Sequence, residues 1–228
     1  MRVGLWLRRS LAETEQFEEN KAKALAVKRP LLTTLRGHPR AVAQLVGFTL
    51  LSTLCYYTFF SALTPYAVDS RGADVGDVFL ALSIGTALFV ALQYPFGLRS
   101  DKFGRKPQML VWSGAITILI VPLSTLIGSN LCFGLIVVFC TGLGLYSLLS
   151  SIAPAVMSEL FPTELRRLGI GAWYNLTVAL FGGTAPLVIQ ALSAAGKPQL
   201  FFWYVAVAGV IGFFTTLSLK ETKGTEFR

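Results

Sequence analysis

The side chains best suited to charge chemistry lie in one short segment, residues 97–107, between two long uncharged runs. Its single acid, Asp101, can accept N–H bonds from the N-terminus of a helix and complement the helix dipole. Arg105 offers a rigid fork of donors for a carboxylate. Gly104 can take the left-handed conformation of a sharp turn, and Gly97 can let two membrane helices approach closely. The segment therefore predicts a charged latch in a tight turn, with a simple cationic anchor at a membrane surface as the alternative.

A second acid lies where it could join this latch. Glu159 directly follows one uncharged run, and Arg166 lies just before the next. If both runs cross a membrane, Glu159 and Arg166 lie at the same depth as Arg105. A carboxylate between two guanidiniums would then form an ion-paired network at this surface.

Five residues inside the uncharged runs are candidates for a ligand cavity: Tyr56, Tyr57, Gln93, Tyr174 and Asn175. Tyr56 and Tyr57 lie deep in their run and occupy different faces of a helix, so at least one could face a cavity. The Gln93 amide needs a partner in lipid and should face protein or water. Asn175, beside Tyr174, is a candidate buried amide, and hydrogen bonding that joins two helices is the alternative.

The composition assigns the chain to the integral membrane proteins. Of its 228 residues, 54% are hydrophobic and 14% charged, and the mean hydropathy of +0.61 is too high for an ordinary soluble domain. About 20 apolar residues cross a bilayer, so the uncharged run 107–158 must hold two helices, with a break at 128–130. We predict an all-α fold with six transmembrane helices, at about 41–68, 76–98, 107–127, 131–157, 168–193 and 199–219.

Lysines and arginines are distributed unevenly around these helices. Of the 20, only Arg71 and Lys197 fall on one side, and the others lie before residue 41, in 97–107, at 166–167 or after 219. By the positive-inside rule both termini are cytoplasmic. The net charge of +8 is then mostly a consequence of topology, and we expect no nucleic-acid partner.

The same pattern divides the chain into three parts. We predict a cytoplasmic linker at 1–40, a six-helix membrane domain at 41–219 and a cytoplasmic tail at 220–228, in a multi-pass plasma-membrane protein. Residues 3–7 are too short an apolar run for a signal peptide. They are typical of the last turn of a membrane helix.

Enzyme and metal-site signatures are missing from the sequence. The chain has one histidine, no H-E-x-x-H and no G-x-S-x-G. Its three cysteines have neither metal-ligand nor disulfide-framework spacing, which favours simple apolar packing. We expect a protein that is not an enzyme and that holds no metal and no cofactor.

Three sequence elements resemble a known family. The spacing G-x-x-x-D-x-x-G-R-[KR]-P at 97–107 resembles the signature loop of the major facilitator superfamily of secondary transporters. Residues 158–186 resemble its metabolite:proton symporter branch, which includes carriers of citrate, 2-oxoglutarate, shikimate and proline or betaine. An L-x-E-T element at 11–14 and again at 219–222 is similar to one that follows helices six and twelve in such carriers. The resemblance implies that the six helices correspond to helices 7–12, preceded by the end of helix six and the central loop.

This resemblance implies a function as well as a fold. The chain would act in proton-coupled symport of a small organic solute, a carboxylate or zwitterion, with the proton as coupling ion. Its partners would be that solute, the lipid bilayer and a missing N-terminal half. The uncharged runs contain no acid or histidine to carry the proton and no cation to bind a carboxylate, so the missing half would supply them. A truncated remnant without transport, or a six-helix membrane scaffold, is the alternative.

Overall fold

The chain folds into helices throughout the residues that the computed structural model describes, 35–127, 132–159 and 166–219, with the side chains of 158–159 and 166–170 outside that description. No strand occurs in these ranges. The helices are α1 Pro39–Ser70, α2 Val75–Phe103, α3 Arg105–Leu126, α4 Cys132–Ser150, α5 Ala153–Glu159, α6 Arg166–Thr177, α7 Ala185–Ala194 and α8 Gln199–Ser218.

Six of the helical segments are long and apolar enough to cross a membrane. The first four of these spans are α1, α2, α3 and α4, and the sixth is α8. The fifth is Gly171–Ala194, in which a π-helical turn at Val178–Gly182 joins α6 to α7. The predicted all-α, six-span fold is confirmed. The predicted linker and tail fall largely on residues outside the described ranges and stay predictions.

Two helix ends differ from the sequence prediction. α2 continues through Arg99 to Phe103, so the tight turn expected over 97–107 is confined to Gly104. The fourth span, expected to be continuous over 131–157, ends at Ser150 and resumes as α5. Pro154 accounts for the second difference, because proline cannot donate the backbone hydrogen bond that would continue the helix.

α1 is the central helix of the bundle. In its most apolar stretch 67% of residues are buried, against 17% in α2 and 22% in the Gly171–Ala194 span. α2 packs along α4, α3 packs along α8, and α1 contacts both α8 and α6. The large faces of α2 and of the fifth span that remain uncovered must therefore contact lipid or further protein.

Both α1 and the fifth span are irregular where they meet. α1 contains π-helical turns at Thr58–Ala62 and Tyr66–Ser70. The turn at Val178–Gly182 packs against the first part of α1, and α7 packs against its π-helical turns. π-Helical turns interrupt the regular hydrogen-bond ladder and are frequent at functional sites.

Glycines set the closest helix contacts. A Cβ at Gly142 of α4 would fall on the ring of Phe59 in α1, 2.7 Å from its Cδ1 atom and closer still to Cε1 and Cζ. A Cβ at Gly85 of α2 would lie 3.0 Å from the Phe139 backbone carbon in α4. Small residues thus allow the close crossing expected in the fourth span. Gly144, by contrast, has only ordinary contacts, at 3.7 Å and beyond.

Candidate functional site

The junction between α2 and α3 is made by Gly104. Its φ of 95° and ψ of 161° lie in a region that is essentially restricted to glycine. The predicted need for glycine at this position is confirmed, although the conformation is more extended than the left-handed helical one expected. The Gly104 N–H donates to the Ser100 carbonyl at 2.8 Å, so the last turn of α2 closes directly onto the junction.

The remaining motif residues surround this junction. Asp101 is exposed on the last turn of α2, and no side chain caps the start of α3. Arg105 is half-buried as the first residue of α3. The close approach predicted at Gly97 is wrong for the described helices, because a Cβ there would meet no atom within 4 Å. Gly97 therefore faces away from the rest of the described bundle.

The predicted ion-paired network lies partly outside the described residues. Glu159 ends α5 and Arg166 begins α6, but the side chains of both are outside the description. The bridge from Arg105 to these two residues stays a prediction.

Polar side chains tie three helix ends together near this junction. Lys106 Nζ donates to the Leu217 carbonyl at 2.8 Å, and Gln44 Nε2 donates to the Ser218 carbonyl at 3.0 Å and to its Oγ at 3.1 Å. The last carbonyls of a helix have no partner within the helix, and a cation there also complements the dipole. Lys106 of α3 and Gln44 of α1 therefore fix the end of α8 against both helices.

Five aromatic rings meet in the middle of the bundle, and we call Tyr56, Tyr57, Phe60, Phe89 and Tyr146 the aromatic face. Tyr56 lies 4.9 Å from Phe60 between ring centroids, and Phe60 lies 5.7 Å from Phe89. Phe89 stacks on Tyr146 at 5.8 Å with an interplanar angle of 12°. These distances are typical of favourable aromatic pairs. Three spans, α1, α2 and α4, thus contribute to one aromatic surface.

The aromatic face lies at mid-depth and is partly open. Phe89 is the central residue of α2, and Tyr56 lies near the centre of α1. Tyr56 is 45% exposed, although its ring contacts Phe60 of its own helix and Tyr146 of α4. A half-exposed tyrosine in the central helix of a membrane bundle contacts lipid, water or further protein beyond the described helices.

The predicted cavity residues have different environments. Tyr56 and Tyr57 lie together, 5.4 Å between ring centroids, and Tyr57 packs where a Cβ at Gly182 would be, 2.6 Å from its Cε2. Gln93 finds the partner it needs, since its Nε2 donates to Ser150 Oγ and joins α2 to α4.

The two candidates of the fifth span do not form the expected pair. Tyr174 is half-buried against Val42 and Leu45 at the start of α1. Asn175 is not buried within the described bundle, because its side chain is exposed there, and its place in a cavity stays a prediction. Its Nδ2 donates to the Gly171 carbonyl of its own helix at 2.6 Å, which satisfies the amide without a second helix.

Two residues of the aromatic face, and one at the break between α4 and α5, were missed by sequence reasoning. Phe89 lies four residues before Gln93, so both share one face of α2. Tyr146 follows Gly142 within the small-residue run of the fourth span, where a large side chain could have been noticed. Gln108 donates to the Leu148 carbonyl at 2.7 Å and to Ser151 Oγ at 3.2 Å, at the break between α4 and α5.

The aromatic face has no charged member, so its chemistry is limited to ring faces and tyrosine hydroxyls. Ring faces attract cations, and hydroxyls can donate to carboxylates. Within the described ranges, no group of His, Cys, Asp and Glu could hold a metal ion.

Comparison with known proteins agrees with the motifs. The sequence profile of the Major Facilitator Superfamily matches residues 6–227. The alpha-ketoglutarate permease of Escherichia coli K12 is 34% identical over 227 residues, which cover 97% of this chain and 51% of the permease. The proline/betaine transporter of Salmonella typhimurium LT2 is 29% identical over 236 residues, covering 96% of this chain and 46% of the transporter.

The extent of these matches is itself informative. The chain spans about half the length of the curated relatives it matches. These relatives are named as a permease and a transporter, not as enzymes, as predicted. No solved structure matches the chain significantly.

Proposed function

Because this chain belongs to the major facilitator superfamily, we propose that it acts as the C-terminal half of a carrier for a small organic solute. The observation that carries the proposal is the aromatic face, which three spans build at mid-depth and leave partly open. Carriers built from two related halves bind their substrate near the bilayer midplane, at the interface between the halves. The aromatic face would be this half's share of that site.

The uncovered faces support a partner of similar size. α2 and the fifth span bury only 17% and 22% of their most apolar stretches in the described bundle. An N-terminal half, which the length of the relatives accommodates, would cover part of these faces. Gly97, open on its α2 face, would then find there the close helix contact that the described bundle lacks.

The proposed substrate is a carboxylate or a zwitterion. The relatives are named for alpha-ketoglutarate and for proline and betaine. Tyrosine hydroxyls can donate to a carboxylate, and ring faces can hold a quaternary ammonium. The proton would be the coupling ion, with no cofactor, and the first half would supply the proton acceptor because the uncharged runs of this chain hold none.

We also propose that the junction of α2 and α3 is a cytoplasmic gate, with both termini on the same side. Asp101 would cap the start of α6, and Arg105 would bridge to Glu159 with Arg166 as a second partner. The exposure of Asp101 and the position of Arg105 at the very start of α3 support this geometry. Charge-assisted hydrogen bonds contribute about 1.5–3 kcal/mol each, enough to shift a two-state equilibrium about tenfold to a hundredfold.

The gate is tested in the assembled carrier. Asp101→Asn should reduce transport without loss of membrane insertion. The Arg105→Gln and Glu159→Gln changes should be non-additive in a double-mutant cycle on inward against outward accessibility. Purely additive effects would reduce the junction to a cationic anchor.

The transport proposal is tested by assaying the chain alone and together with a cognate first half. A first half with six further spans would be sought in the DNA upstream. The chain alone in liposomes should not accumulate labelled 2-oxoglutarate or glycine betaine under a proton gradient. Co-reconstitution with the first half should give uptake of one of them that a protonophore abolishes. Uptake by the chain alone would contradict the need for a partner. Absence of uptake by both halves together would favour the remnant or scaffold alternative.

A further inference from the structure

Two cations share a cleft at the end of the bundle opposite Gly104. Arg71 follows the end of α1, and Lys197 lies between α7 and α8. The cleft has a volume of about 460 Å³. It is lined by Arg71, Gly196, Lys197, Pro198, Gln199, Leu200 and Trp203.

Arg71 is held in place by a buried tyrosine. Its Nε donates to the Tyr66 hydroxyl at 2.8 Å, and its guanidinium carbon lies 5.7 Å from the centre of the Tyr66 ring. The Tyr66 side chain is only 2% exposed and packs on Phe202 of α8. The remaining four N–H donors of Arg71 are left for a ligand, in a position fixed by the core.

The lining of the cleft contains two cations and no carboxylate. In the described part of the chain, neither Arg71 nor Lys197 forms an ion pair with a carboxylate. Asp69, the nearest acid along α1, lines a separate cleft with Pro65 and Ile189. Two cations on a lining that holds no carboxylate favour an anion, and arginine is well matched to phosphate oxygens.

The wall of the cleft is apolar on the side of α8. Leu200 and Trp203 are 49% and 56% exposed within the first two turns of that helix. Tryptophan is enriched at the level of lipid headgroups, where its ring contacts the acyl boundary. A ligand for this cleft therefore combines an anionic head with an apolar body.

We propose that this cleft binds the phosphodiester of an anionic phospholipid. The phosphate lies between Arg71 and Lys197, and the glycerol and first acyl carbons lie against Leu200 and Trp203. The cleft is many times larger than the roughly 30 Å³ share of a single water, so it has room for glycerol as well as phosphate.

This site is separate from the aromatic face. Arg71 lies 15 residues beyond Tyr56 along α1, about 22 Å at the rise of a helix. The phospholipid is therefore not the solute proposed above.

Trp203 is the reporter for the test. The full chain is placed in nanodiscs of phosphatidylcholine, and brominated phosphatidylglycerol is titrated in while tryptophan fluorescence is recorded. Subtracting the fluorescence of the Trp203→Phe variant, recorded under the same conditions, isolates the Trp203 signal. Brominated phosphatidylcholine with the same acyl chains controls for contact with bulk lipid. We expect the Trp203 signal to be half-quenched at a clearly lower mole fraction of brominated phosphatidylglycerol than of brominated phosphatidylcholine.

Removing the cations should abolish this preference. Each cation near a lipid surface contributes about fivefold to anionic binding, so Arg71→Gln with Lys197→Gln should raise the half-quenching fraction roughly 30-fold. Arg40→Gln with Arg99→Gln removes the same charge at the other end of the bundle and should have no effect. Lys197→Glu, a single exposed position, should weaken binding in the same direction.

Three outcomes would overturn the proposal. Equal quenching by the two brominated lipids would show that the cleft does not select an anion. Retained selectivity in the double variant would remove the two cations from the site. Protection of the cleft by inorganic phosphate, together with no quenching preference for the anionic lipid in its absence, would show that the cleft takes the free anion and not a lipid.

Discussion

Gly142→Ala is expected to destabilise the chain by separating α4 from α1. The added Cβ would lie 2.7 Å from Cδ1 of Phe59 and closer to two further ring atoms. Non-bonded carbons prefer about 3.5–4.0 Å, so the ring must move by about 1 Å or more. Phe59 is 1% exposed and Gly142 is buried, so the ring has no free space to enter.

The magnitude follows from two opposing effects. Overpacking a well-packed interior costs about 1–3 kcal/mol. Alanine gains up to about 1 kcal/mol over glycine in a helix, and less where the unfolded state keeps its helices. The net result is a loss of about 1–2 kcal/mol in the free energy of unfolding. Since Tyr146 lies one turn from Gly142, the aromatic face should move as well.

The assay is reversible unfolding of the chain in mixed micelles of dodecyl maltoside and sodium dodecyl sulfate, followed by circular dichroism. Gly114→Ala is the matched control, because its Cβ would meet Phe213 at an ordinary 3.5 Å. The free energy of unfolding of that variant should equal or exceed that of the wild type. Phe59→Leu should relieve the clash, giving a coupling of at least about 1 kcal/mol with Gly142→Ala. If Gly142→Ala and Gly114→Ala are equally stable, α1 and α4 are not packed as described.

Three further predictions concern topology and local structure. With the proposed orientation, a cysteine at Arg71 should react with an impermeant reagent outside intact cells, and one at Lys102 should not; the reverse would invert the topology. Gln108→Leu should lower the free energy of unfolding by about 1 kcal/mol through its lost bond at the α4 break, and an unchanged midpoint would contradict that role. Gly104→Ala should cost about 1–3 kcal/mol because of its positive φ, whereas Gly97→Ala should be neutral in the isolated chain; equal effects would refute both placements.

The helices were predictable from the sequence because their cause is local. A run of about 20 uncharged residues has one stable form in a bilayer, in which every backbone group bonds within the helix. The break at 128–130 divided the longest run correctly, since α3 ends at Leu126 and α4 starts at Cys132. The glycine requirement at Gly104 was also local, because it depends on a single backbone conformation.

The direction of side chains was less predictable because it depends on which helices are neighbours. Asn175 was expected to be buried, but a bond to its own helix satisfies its amide and leaves it exposed. Gly97 was expected at a helix contact that the described bundle does not contain. Phe89 and Tyr146 were missed because stacking between them exists only once α2 lies along α4. Helix periodicity predicts which residues share one side of a helix. It does not predict which neighbouring helix packs against that side.

In the proposed carrier, neutral side chains would bind the solute and charged side chains would control the gate. The aromatic face at mid-depth is neutral, so as a solute site it would select by shape, by ring contacts and by tyrosine hydroxyls. The cations lie at the two ends, near Gly104 and around Arg71, where they contact helix termini or open clefts. A carrier that moves a charged solute past the aromatic face would need the solute's counter-charge on the opposing half. Adding a cation to the aromatic face should then impair this half's binding to a zwitterion more than to a dicarboxylate.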